Sequence, residues 1–99
     1  MKPTDLRDAT WSSIRQTLTG RIMDIYQVWL QHGPGTTRAV AERSHRDILS
    51  LRPRTTDLYH LGLLELIGSE HGEGIYKVRD QADWETWRRG VVSGQLALL

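Results

Sequence analysis

An α+β fold, with helices first and a two-stranded hairpin after them, is what this chain predicts, and three observations carry the prediction. Apolar residues recur at helical spacing through the first sixty positions, broken by Gly33-Pro34-Gly35. The spacing then shortens toward alternation in Leu63 to Ile67 and again in Ile75 to Arg79. Between those two runs lie Gly68, Gly72 and Gly74, which can take the positive backbone angles that a tight turn requires.

Taken in order, Leu6, Trp11, Ile14 and Leu18, with Ala9 beside them, predict a helix over Asp5 to Leu18. Ile22, Ile25, Tyr26, Trp29 and Leu30 form an apolar stripe that predicts a second over Arg21 to His32, with Thr19 or Thr17 as its cap. Thr36 or Thr37 can satisfy the open amides of a third, short helix whose small apolar side is Ala39, Val40 and Ala41 and whose end falls near Ser44. His45 to Leu49 reads as a turn or a brief helical extension in which Ile48 and Leu49 plug the core. The next helix is expected to start close to Ser50, because Pro53 fits a helix only in the first turn. Its inner face is Leu51, Thr55, Leu58 and Leu61 or Gly62, and its other face carries Arg52, Thr56, Tyr59 and His60. Gly62 ends it. A polar loop from Ser69 to Gly74 joins the two strands, which are too short to stand without helices behind them. A last helix is expected over Ala82 to Arg89, with Gly90 and Gly94 interrupting it before the apolar tail from Gln95 to Leu99.

Ninety-nine residues fit one domain, and 38% hydrophobic content with four Trp and three Tyr fills a modest core. The absence of Cys removes disulfides, thiolate metal sites and a thiol nucleophile, which suits an intracellular protein. Apolar runs are too short for a membrane span, and no basic segment precedes an apolar one as in a secretion signal. A cytoplasmic protein with no membrane contact is the expectation.

A net charge of +1 says little, but its distribution says more. Thr37 to His60 holds five arginines against three acids, whereas Glu65 to Glu85 holds six acids against Lys77 and Arg79. The arginine side is the side that would face an anion. A helix that keeps leucines inward and offers Arg52, Arg54, Thr56, Tyr59 and His60 outward points first to nucleic acid.

The order of elements resembles that of winged helix-turn-helix domains over about Arg21 to Arg79. The resemblance rests on GPGTTRAVAER (Gly33 to Arg43) for the second helix of the motif, RPRTTDLYHLGLLELIG (Arg52 to Gly68) for the recognition helix and first wing strand, and GEGIYKV (Gly72 to Val78) for the second strand. The chain is also similar to small winged-helix proteins of bacteriophages and prophages, in which an arginine- and threonine-rich third helix runs through a leucine-glycine turn into the wing. The resemblance implies a three-helix core with a two-stranded wing at 21–79, an N-terminal helical extension at 1–20 and a C-terminal helix and tail at 80–99. It implies a protein without enzymatic activity, cofactor or metal that binds double-stranded DNA in a regulatory, replication or packaging role. The third helix would enter the major groove with Arg52, Thr56 and Tyr59 reading bases, while Arg38, Arg43, Arg46, Arg54, His60 and Lys77 meet the backbone. Trp84 and Trp87, three apart on one helix face, are the expected contacts of a homodimer.

The wing departs from that family pattern. Its tip carries Glu70, His71 and Glu73 where such wings often present Lys or Arg, so a protein partner at the acidic wing is the alternative. That alternative makes the chain a winged-helix protein-interaction module that docks its partner through the third helix or the acidic wing. His32, His45, His60 and His71 fall in different elements with no HxxxH or HExxH spacing, and no glycine-rich segment carries a nucleophile elbow or a phosphate-loop lysine. Metal and enzymatic readings therefore have no support in the sequence.

Overall fold

The structure, a computed structural model, describes residues 10–92, with side-chain surroundings through residue 90. The segments before and after these, including the expected helix start at Asp5 and the tail from Gln95, lie outside the described residues.

Helix α1 (Trp11–Thr17) begins where the Thr10 hydroxyl accepts the Ser13 amide at 3.2 Å. Helix α2 (Gly20–His32) buries Ile25, Tyr26, Val28 and Trp29, while Leu30, expected in the stripe, is half exposed. Thr19 stands at the cap position but makes no side-chain capping bond, contrary to expectation. Thr36 does cap helix α3 (Thr37–Ser44), accepting the Ala39 amide at 3.0 Å. That helix ends on left-handed His45 (φ 58), whose amide reaches Glu42 O while the Arg46 amide reaches Ala41 O, the paired bonds that close a helix before a sharp turn.

Helix α4 (Ile48–His60) starts two residues before the expected Ser50, because Asp47 rather than Ser50 caps it by accepting the Leu49 amide at 3.0 Å. Pro53 consequently sits in the second turn instead of the first. The carbonyl that loses its partner to Pro53 is that of Leu49, which is 69% exposed, so water can replace the missing N–H. The expected plugging of the core by Leu49 is corrected by the same shift, and only Ile48 packs against the core.

Gly62 ends α4 with φ +80, and the bonds Gly62 N–H to Tyr59 O and Leu63 N–H to Leu58 O repeat the closure seen at His45. Strands β2 (Leu64–Glu70) and β3 (Glu73–Val78) then pair antiparallel through a two-residue turn, His71-Gly72, with φ 51 and 78. Two positive φ values match the turn that fits the twist of a hairpin, so the loop is tighter than the polar stretch Ser69 to Gly74 suggested. The sheet also has a third strand that the sequence did not announce. Gly35–Thr36 (β1) pairs with β3 opposite Tyr76 and Ile75, giving the order β1-β3-β2. An irregularity between Leu66 and Gly68 breaks the alternation of β2 and leaves both Leu66 and Ile67 about half exposed.

The core lies between α2, α3, α4 and the base of the hairpin, around Trp29, Tyr26, Val40, Leu51 and Leu58. Trp29 donates its indole N–H to the buried Thr55 hydroxyl at 3.2 Å, which accounts for a polar residue on the inner face of α4. Helix α5 (Gln81–Val92) is started by the Asp80 carboxylate on the Asp83 amide and continues past Gly90, which was expected to interrupt it. Trp84 of α5 is fully buried and donates to Leu61 O at 3.1 Å.

Candidate nucleic-acid interface

The rotation of α4 decides which of its side chains can meet a ligand. Leu51, Thr55 and Leu58 are sealed, with 4% exposure or less, and the opposite side offers Leu49, Arg52, Pro53, Thr56, Tyr59 and His60 to solvent. Thr56 donates its hydroxyl back to Arg52 O at 3.2 Å and remains exposed with the rest of that face. Tyr59 leans edge-on against Tyr76, which in turn meets buried Trp29 edge-on, with ring centroids 5.8 and 6.0 Å apart. The outer aromatic is thus anchored to the core through a rigid stack, at little entropic cost to any contact it makes.

The expected arginines separate into three kinds. Arg38 and Arg52, from α3 and α4, are brought together by one wing carboxylate. Arg38 reaches Glu73 through Nε and Nη2 at 3.3 Å each, and Arg52 Nη2 reaches the same carboxylate at 3.8 Å. Both remain more than half exposed. Arg46 and Arg54 are matched to local acids. Arg46 makes a two-pronged bond to Asp24, whose hydrogen bond and charge raise the guanidinium above its usual value, and Arg54 pairs with Asp57 at 3.1 Å. These two, with Arg21 and Asp24, line a cleft of about 350 Å³ between the start of α2 and the first turns of α4. Arg43 is the third kind. Its Nη1 donates to His32 O at 2.8 Å and Pro34 O at 2.7 Å, tying the end of α2 to the connection that follows. Arg43, expected at a phosphate, thus already spends Nη1 on the fold while the residue itself stays exposed. Lys77 likewise faces Glu65 across the hairpin at 3.6 Å.

The two expected dimer contacts sit differently in the fold. Trp84 has no surface to offer a second chain, being buried in its own. Trp87 is half buried against Gly62, with the Arg79 guanidinium over its ring at 5.1 Å. Arg79 further donates to Gly62 O at 3.2 Å, and burial lowers its pKa from the ordinary value. Two residues of this surface escaped the sequence reading. Leu49 is expected in the core, and Glu73 is expected at a protein partner rather than at the arginines of the same chain. Asp47 three residues ahead of Ser50, an equally good cap, was the signal that would have placed Leu49 outside.

Among the described residues no group of three or more His, Asp or Glu is placed to hold a metal ion, and no helix is long and apolar enough to cross a membrane. The helices α2 to α4, the turn at His45–Asp47 and the hairpin behind them define a winged helix-turn-helix domain flanked by extra helices. In keeping with that class, the chain is similar to a solution structure from Mycobacterium bovis, a homodimeric winged helix-turn-helix DNA-binding domain described as belonging to a possible ArsR-family transcriptional regulator. The two share 15% identity with a TM-score of 0.52, over 98% of this chain and 84% of the other. No family model matches the chain, and no curated protein matches it.

Proposed function

We propose that this chain binds duplex DNA, with α4 in the major groove, and that it does so as a homodimer in a regulatory role of the kind that phages and prophages also employ. The observation that carries the reading is the division of α4 into a sealed leucine side and an open side bearing Arg52, Thr56 and Tyr59. The major groove is wide enough for a helix and presents distinct donors and acceptors on each base pair. Arg52 has the fork geometry for guanine, and Thr56 and Leu49 have methyl groups for thymine. Arg38 reaches the same side from α3, where a phosphate contact fixes orientation. A lone module makes few phosphate contacts and binds weakly, which is why pairing of two copies belongs to the proposal. The structural relative is itself a homodimer. With Trp84 occupied internally, the surface available for that pairing is the exposed remainder of α1 and α5.

The test is fluorescence anisotropy on labelled duplexes across a salt series, beside selection of bound oligonucleotides. Affinity falls with salt, and in the double variant Arg38→Ala lowers the log-log slope by about 0.9 for its one phosphate contact while Arg52→Ala weakens binding and relaxes base preference. Unchanged DNA affinity in the folded double variant rejects the assignment. A wild-type chain that stays monomeric by light scattering, with and without DNA, rejects the dimer. A second reading, a protein-binding module, is favoured by one observation: Leu66 and Ile67 stand half exposed on edge strand β2 beside Glu70.

A further inference from the structure

Glu73 lies within ion-pair distance of two arginines, and both belong to the proposed DNA surface. Its place is fixed by the fold. It is the first residue of β3, directly after the His71-Gly72 turn, and its pairing with Glu70 in the hairpin register holds it at the wing tip. Arg38 and Arg52 come from the two helices of the helix-turn-helix, so one wing residue spans both. A wing that only needed to avoid phosphates would carry no charge there.

We propose that Glu73 is a specificity-determining residue of the DNA interface, acting as an internal competitor that a target duplex must displace. The inference rests on the DNA-binding reading above and goes further by assigning this acid a role in it. A phosphate offers Arg38 or Arg52 the same charge that Glu73 already supplies, so random DNA gains little by replacing it. A guanine edge in the groove offers Arg52 two directed acceptors that Glu73, at 3.8 Å from a single nitrogen, does not. The carboxylate thus weakens non-specific attraction more than it weakens binding to the right site. Specificity is a difference of affinities, and an element that penalises the wrong partner raises it.

The experiment compares the full chain with Glu73→Gln, which keeps the size and removes the charge. Both are titrated against a random duplex and against a duplex enriched by selection on the wild type. Glu70→Gln serves as a control, since Glu70 meets only His71 at 3.7 Å and no arginine. Glu73→Gln is expected to tighten random-duplex binding by about 2- to 30-fold, the range set by two exposed ion pairs. The enriched duplex gains less, so the ratio of specific to random affinity falls, and the salt slope on random DNA steepens by about 0.9 as one more arginine releases counterions. Weaker binding of both duplexes, or a ratio that stays constant, overturns the proposal while leaving the DNA reading intact. Failure of the wild type to bind any duplex, or indifference to Arg52→Ala, overturns the DNA reading itself.

Discussion

The corner Leu61–Gly62 decides how α4 leaves the core and enters the wing, so Gly62→Ala is the substitution that probes the geometry of the site most directly. Gly62 sits at φ +80, and a Cβ added there would lie 2.3 Å from Trp87 Cζ3 and 2.5 Å from Cε3. The left-handed conformation costs a non-glycine residue about 1–2 kcal/mol. Pushing Trp87 off its seat adds about 1–3 kcal/mol, the usual range for overpacking. The sum, about 2–5 kcal/mol, is a large share of the roughly 5–15 kcal/mol that holds a domain of this size together. Urea unfolding of the wild type, Gly62→Ala, Trp87→Ala and the double variant separates the two contributions. In the Trp87→Ala background the clash is gone and only the backbone cost remains, so the cycle should return a coupling of about 1–3 kcal/mol. A Gly62→Ala cost below about 1 kcal/mol would refute the backbone argument, whose floor is that value. Additivity of the two substitutions would refute the packing of Trp87 on the corner.

Three further outcomes follow from the same structure. Trp84→Phe should lower stability by about 1–3 kcal/mol, through lost volume and a Leu61 carbonyl left without its donor, with no change of oligomeric state by light scattering. Arg43→Ala should lower the melting temperature by several degrees, since about 1 kcal/mol corresponds to roughly 4–8 °C in a chain this size, while the salt slope of DNA binding stays as in the wild type. Buried Tyr26 has its pKa raised above 10.0 by burial, with Arg15 opposing the shift. The folded chain therefore keeps that proton where the unfolded chain loses it. The stability tied to Tyr26 is intact below pH 10, is lost as pH rises through the folded value, and should be retained above pH 10 in Tyr26→Phe urea titrations.

Most of the architecture was legible because it rests on period and punctuation. Leu51, Leu58 and Trp29 announced the core by spacing, and Thr36 and Gly62 marked boundaries where side-chain caps and positive φ demand those residues. What failed did so where two local rules competed. Ser50 and Asp47 are both good caps, and the proline rule favoured the wrong one because it ignores that an exposed carbonyl can take water in place of the missing amide. The pairing of β1 with β3 is a two-residue contact between segments some forty positions apart, and no local pattern encodes it.

The charged residues were legible as types but not as partners, and for a binding surface the partner is what matters. The resemblance divides the five arginines between Thr37 and His60 into one for bases and four for the backbone, and nothing in the sequence says which acid or carbonyl each one meets. In the fold, Asp24 meets Arg46, Asp57 meets Arg54, and two backbone carbonyls meet Arg43, so each of these must exchange a present contact for a new one before it can serve a ligand. Arg38 and Arg52 differ in that their shared acid sits on the wing, and neither is matched to an acid on its own helix. If affinity tracked the number of arginines, substitution of Arg46 or Arg54 would cost as much as substitution of Arg52. If it tracks the contact each arginine must give up, Arg52 leads, since its existing ion pair is the longest of the four at 3.8 Å. A salt series on the single alanine variants decides between these, and equal losses across Arg46, Arg52 and Arg54 would mean that the present pairings carry no weight in the complex.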